Sequence, residues 1–350
     1  MDDTIYFHLP SYTQHQKLNY LLAAAIHNDP DSFYPNIKIG SVYGTFTNAI
    51  WNGGRVIVYQ TDPMEFIFNT YRLFNEIGIP LRHTFTNSAL EETDVYDRYC
   101  NLIMEIGDNG LNEVLVNSPY LEKYIKEKYP NYQRISSTTK RLTTIESITE
   151  ELDKDYKLVV LDYALNRDPR IFTLPKKEKL EILINAYCCD YCTRRKAHYQ
   201  YMANQQKNFG LNRFMTEEDA KNDDGFACPY IADDFYTVLM NRQSVLRVEE
   251  LYGFYYEMGF RNFKIEGRTN SVADVLESYV YYMVKPEFRD HVRLLLWRQY
   301  MSPIPMIQKP APETKDGFVQ IPKEEYEELL KGKKEYSPAI IGADGKIISG

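Results

Sequence analysis

Cys188, Cys189 and Cys192 stand within five residues of one another in Asn185-Ala-Tyr-Cys-Cys-Asp-Tyr-Cys-Thr-Arg-Arg-Lys-Ala-His198, and Cys228 follows in Phe-Ala-Cys-Pro-Tyr. A helical or turn-like backbone brings Cys188 and Cys192 to one side, and Cys228 can complete a set of three ligands. Soft thiolates suit an iron–sulfur cluster or zinc, not magnesium or calcium. Structural zinc usually takes four ligands from two close pairs, whereas only one tight pair is plain here. The fourth ligand stays open among Cys189, Cys100 and His198, or is absent, leaving one metal position for a substrate. Unligated thiols packed as small hydrophobes are a further alternative. So is a cysteine nucleophile served by His198 or His8, although crowding does not help a mechanism that needs one sulfur.

A second group of chemistry-bearing residues lies in Phe263-Lys-Ile-Glu-Gly-Arg268. Strand alternation puts Lys264, Glu266 and Arg268 on one face, and burying them requires mutual pairing or a ligand. Either an active-site wall or a salt-bridged rim fits. Arg194 and Arg195 suit an anionic substrate or a solvated face. Asp162 ends an apolar run and joins the residues expected to orient a substrate.

Short β-rich runs alternate with amphipathic stretches, the pattern of βα units around a parallel sheet. Strands are expected at 5–9, 37–43, 81–85, 113–117, 134–137, 158–162, 180–185 and 263–266, with an extra one at 52–59. Helices are expected at 14–27, 63–77, 94–106, 119–128, 144–152, 248–258, 271–283 and 287–300. Eight units favour an α/β fold of the (β/α)8 TIM-like barrel type, in which strand C-termini converge on one mouth. Asn117-Ser118, Ser136 to Thr138, Asp162, the cysteines, Glu266 and Arg268 then share that mouth. The barrel domain covers 1–300 with a cysteine-bearing insertion at 207–241. A Pro-rich linker at 301–316 and a small C-terminal tail at 317–350 follow.

The 350 residues are 44% hydrophobic and 26% charged, as in soluble globular proteins. No apolar run approaches the roughly 20 residues a membrane span requires. The acidic start lacks the features of a signal peptide, so a cytoplasmic location is expected, where clustered cysteines are more often ligands than disulfides. A net charge of −8 argues against bulk nucleic-acid binding.

The stretch from Leu246-Arg-Val-Glu-Glu-Leu-Tyr to Phe263-Lys-Ile-Glu-Gly-Arg268, with the Cys-Pro-Tyr-Ile segment and the strand-end cysteines, resembles the collagenase-like peptidase family (peptidase family U-thirty-two). The resemblance covers roughly 80 to 285. It implies a barrel and, by one branch of the family, a 4Fe-4S cluster held by Cys188, Cys192 and Cys228, with Cys189 less certain. That branch performs oxygen-independent hydroxylation on a small-molecule or RNA-borne ring, so a redox partner or a related barrel protein is an expected companion. Glu266, Arg268 and Asp162 would then be the catalytic residues. The chain departs from the family in lacking a plain fourth cysteine and the longer C-terminal domains. A peptidase-like hydrolase, or a non-catalytic protein with a structural metal, is the alternative. Neither His-Glu-x-x-His nor a nucleophile elbow is present.

Overall fold

In a computed structural model, the described residues are 3–54, 62–211 and 234–302, with two short strands at Ile340–Ile341 and Ile347–Ile348. The chain divides into one compact unit, Met1–Ser302, and a second, Pro303–Gly350. In the second unit the two short strands pair antiparallel. The expected linker, a short helix expected at 322–330 in the tail, Cys228 and most of the 52–59 strand lie outside the described residues, and Asn52 to Gly54 form no strand.

Eight parallel strands close into a barrel in chain order: β1 (Ile5–Pro10), β2 (Ile37–Gly44), β3 (Leu81–Phe85), β4 (Glu113–Val116), β5 (Gln133–Ser136), β6 (Leu158–Val160), β7 (Leu180–Leu183) and β8 (Asn262–Lys264). Closure is made by β8, which pairs with both β7 and β1. The outer ring begins with α1 (Gln16–Asn28), α2 (Met64–Asn75), α3 (Arg98–Ile106), α4 (Pro119–Lys128) and α5 (Ile145–Leu152). Pro119 at the first turn of α4 suits a position whose N–H would be unpaired anyway. Thr144 and Asp97 cap α5 and α3 through their side chains. Next come α6 (Arg195–Gly210), α7 (Phe235–Asn241), α8 (Val248–Glu250), α9 (Val272–Met283) and α10 (Arg289–Met301). The helix expected at 248–258 is instead one α-turn continued by a π-turn at Leu251–Tyr255.

Strand alternation divides the interior. Leu81, Val114, Val116, Leu180, Ile182 and Phe263 point outward into the main core beneath the helices. Leu115, Ile135, Leu158 and Val160 form a separate apolar cluster. The remaining lumen is charged. Arg82 on β3 donates from Nε to Glu113 at 2.6 Å and from Nη1 to Glu181 on β7, a pairing that crosses the barrel. Glu181 also lies 3.4 Å from His8 Nε2 and from Lys264 Nζ. Burial would raise the Glu181 carboxyl, but Arg82, His8 and Lys264 together hold it at about 2. Burial lowers the Lys264 ammonium to about 8 against the pull of Glu181. The face read from the sequence as carrying three charges thus begins with a lumen lysine paired across strands. Breaking one partner of such a buried pair typically costs about 3–5 kcal/mol.

Candidate active site at the barrel mouth

The strand ends turn early into caps, which sets where the site residues stand. β6 stops at Val160, and Asp162 accepts Ala164 N at 2.9 Å to cap a 3₁₀ turn. Both Asp162 oxygens accept from Arg195 Nη2, at 2.7 and 2.5 Å, in a buried pair. The Arg195 guanidinium also lies 4.2 Å from the centre of the Tyr163 ring. Burial works against its charge, but Tyr163 and Asp162 outweigh that and raise its pKa. Asp162, read from the sequence as orienting a substrate, and Arg195, read as either substrate-binding or solvated, serve each other and anchor the start of α6. The hydroxyls of Ser136 to Thr138 are likewise engaged within the scaffold. Ser136 bonds Glu151, Ser137 caps Thr139 N, and Thr138 bonds the Leu161 carbonyl.

From that anchor α6 runs across the mouth. Its far end meets the loops after β2 and β3, on the opposite side of the barrel from β6. Asn87 Nδ2 donates to the Ala203 carbonyl at 3.0 Å, Asn52 Nδ2 to Gln206 Oε1 at 3.1 Å, and Lys207 Nζ reaches Asp94 at 2.7 Å. Sixteen residues at 1.5 Å each span about 24 Å, enough to bridge a barrel end. Gln206 and Ala203 are buried beneath it.

The cysteines occupy the loop between β7 and α6. Asp190 fixes this loop by accepting Gln243 N and Ser244 N at 2.7 and 2.9 Å. Cys188 is buried with Tyr163, Leu183 and Ala186, and Cys192 packs against the same group. Burial raises the Cys189 thiol to about 11, and the neighbouring Cys192, which shares a hydrogen bond with it, and Cys188 add to the rise. All three thiols therefore adjoin, and all are free. Cys100 is buried on α3, in the core. Among the described residues, no three His, Cys, Asp or Glu are disposed to hold a metal ion. The donor chemistry nonetheless suits a thiophilic group, since thiols gathered at a strand end become soft thiolate ligands once a metal binds.

Glu266 and Arg268 leave β8 in different directions. Glu266 is half-buried. Its backbone N–H donates to Asn185 Oδ1 at 2.6 Å, and one carboxylate oxygen accepts Tyr187 N at 3.3 Å, beside the cysteine loop. Arg268 Nη1 donates to Thr84 Oγ1 at 2.9 Å and to Asn52 Oδ1 at 3.2 Å, and Nη2 donates to the Gly53 carbonyl at 3.2 Å. Gly54 is required here. Its φ is +98°, and a Cβ would lie 2.7 Å from Arg268 Nη2. Asn52 therefore joins Arg268 to Gln206 of α6. In the sequence this Asn-Gly-Gly stretch opens the extra strand expected at 52–59, and nothing there marked it as a wall around Arg268. Arg268 also lines a cleft of about 280 Å³ with Ser11, Thr13, Thr45, Thr47 and Asp62, with Phe66 on one wall.

Together these features define a (β/α)8 barrel whose C-terminal mouth carries a thiol cluster on one flank and an arginine-bearing cleft on the other, with a helix laid across it. No protein-family profile matches the sequence, and no curated protein matches it. Among solved structures, the chain is similar in fold to the U32 peptidase Mk0906, at 11% sequence identity, with a TM-score of 0.46, over 75% of this chain and 93% of that one. No helix of the described residues is long and apolar enough to cross a membrane.

Proposed function

We propose that the chain is an iron–sulfur-dependent barrel enzyme carrying out oxygen-independent redox or hydroxylation chemistry on a small-molecule or RNA-borne ring. The observation that carries this reading is the convergence of Cys188, Cys189 and Cys192 at the end of β7. Cys188, Cys192 and Cys228 would hold the cluster, probed as 4Fe-4S, and Cys189 is the candidate for the fourth position. Bound there, a cluster would supply electron transfer. Glu266 stands next to the thiol loop through Tyr187 N and can hold a proton or hydroxyl there. Arg268, held by Thr84, Asn52 and Gly53, offers a planar fork to a carboxylate or ring edge. A redox partner delivering electrons and a cytoplasmic location accord with this chemistry.

A cysteine-nucleophile peptidase would require an activated thiol, and burial with Cys192 works in the opposite direction at Cys189. Anaerobic purification followed by iron and sulfide quantification and visible absorbance tests the proposal. Brown protein with sulfide-matched iron is the expected result. Colourless protein holding zinc, or no metal, would overturn it.

A further inference from the structure

We propose that Lys264 is an amine nucleophile at the floor of the barrel mouth, where its Nζ forms an imine with the carbonyl group of a small aldehyde or ketone. The inference goes beyond the thiol-cluster reading and does not depend on a bound metal. Lys264 is the last residue of β8. Register pairs Asn262 of β8 with Glu181 of β7, so Lys264 stands one lumen layer nearer the mouth than the Arg82–Glu113–Glu181 network. Reacting groups of such barrels converge at that end. The side chains of Arg82, Glu113 and Glu181 are fully buried, whereas Lys264 keeps 9% of its side chain exposed. Of these four it is the one that an entering molecule meets first, and the narrow opening admits only a small one.

Lys264 is held loosely for a buried ion-pair partner. Glu181 already receives Arg82 Nη1 on Oε2. Its Oε1 lies 3.4 Å from Lys264 Nζ, beyond the roughly 2.7–2.9 Å of a charge-assisted hydrogen bond, and has no hydrogen-bond partner. Nζ also lies over the Tyr43 ring, 4.1 Å from its centre. His8, the register neighbour on β1, is kept neutral by burial, and its ring nitrogens are bonded to Ser41 and Asn262. Burial lowers the Lys264 ammonium to about 8; Glu181 opposes the fall, and Arg82 and Arg268 add to it. At pH 7 about a tenth of Lys264 is then free amine, against about one part in 3,000 for a lysine at 10.5.

The free amine adds to the carbonyl carbon, a C–N bond forming as the C=O π bond breaks. A nitrogen proton passes to the oxygen, and the carbinolamine loses water to give the imine. Counted from the charged lysine, ammonium plus carbonyl gives iminium plus water, so one positive charge faces Glu181 before and after. The carboxylate and the Tyr43 face that accept the ammonium therefore accept the iminium equally. No oxidant or reductant is consumed.

Reductive trapping on the full chain tests this. Protein is incubated at pH 7 with sodium cyanoborohydride and formaldehyde, glycolaldehyde or pyruvate, then digested and mapped by mass spectrometry. Glycolaldehyde or pyruvate should label Lys264 at least about tenfold faster than exposed lysines such as Lys126, whose side chain is 59% exposed. That preference should shrink as the pH is raised toward about 10, where exposed lysines also lose their proton. Lys264→Arg keeps a cation opposite Glu181, cannot form the imine, and should lose this label alone. The map of the unmutated chain decides the matter even where the variant misfolds. Labelling of Lys264 no faster than that of exposed lysines, or by formaldehyde only, overturns the proposal. The first result shows an amine out of reach or unactivated, the second an amine without room for a substrate. Lys264 labelling in iron-free protein would leave this inference standing and remove the cofactor reading. Iron-loaded protein with Lys264 unlabelled would do the reverse.

Discussion

His83 should be a principal source of acid lability in this barrel. It faces outward from β3, stacked on Phe85, and both ring nitrogens are bonded to phenols. Tyr71 gives its one hydroxyl proton to the Ile103 carbonyl at 2.8 Å, so toward His83 Nε2, 2.7 Å away, it can only accept. The imidazole proton therefore sits on Nε2, and Nδ1 accepts from Tyr12 at 2.8 Å. A second proton would face a hydroxyl that already donates, inside a fully buried pocket. Burial alone lowers the His83 pKa from 6.5 to about 3. The unfolded chain takes up this proton below pH 6.5 while the folded chain does not, so stability is fully present above 6.5 and falls as pH drops toward 3. At pH 4.5, two units below the unfolded value at about 1.4 kcal/mol each, the loss is about 3 kcal/mol. His83→Gln keeps a donor and an acceptor for the two tyrosines but cannot titrate. Urea unfolding at pH 7.5 and 4.5 should therefore show the wild type losing about 3 kcal/mol more than the variant between the two conditions. Equal losses in the two proteins, or an NMR titration placing His83 near 6.5, would refute the reasoning.

Cys188→Ser and Cys192→Ser should each lower bound iron measured after anaerobic purification, because serine rarely ionises and is a harder ligand. Cys100→Ser, in the core on α3, should leave the metal content unchanged. Asp162→Asn should lower the unfolding free energy by about 3 kcal/mol, since it leaves the buried Arg195 charge without its carboxylate. An unchanged denaturant midpoint there would restore Asp162 to the substrate. Gly53→Ala puts a Cβ 2.4 Å from the Thr86 carbonyl carbon and oxygen, and should cost about 1–3 kcal/mol in the same assay.

Much of the scaffold was legible because its signals are local. Leu81–Phe85 and Pro119–Lys128 match the expected boundaries. The Asn-Ser-Pro start of the second specifies its own beginning. Strands such as β6 and β7 ended earlier than their apolar runs suggested: Asp162 caps a 3₁₀ turn, and the Asn185 side chain takes the place of a backbone ladder toward Glu266. The lumen was less legible. Arg82, Glu113 and Glu181 look in sequence like solvent-facing strand residues, and only closure of the barrel brings β3 against β7. The same holds for Arg195 and Asp162, whose pairing satisfies two residues that each looked available to a ligand.

The placement of α6 changes how traffic reaches the barrel. A beam supported at one side by Arg195 on Asp162 and at the other by Lys207 on Asp94 blocks the axial approach to the lumen. Whatever enters from this end passes beside the beam, so admission is governed by thickness as much as by affinity.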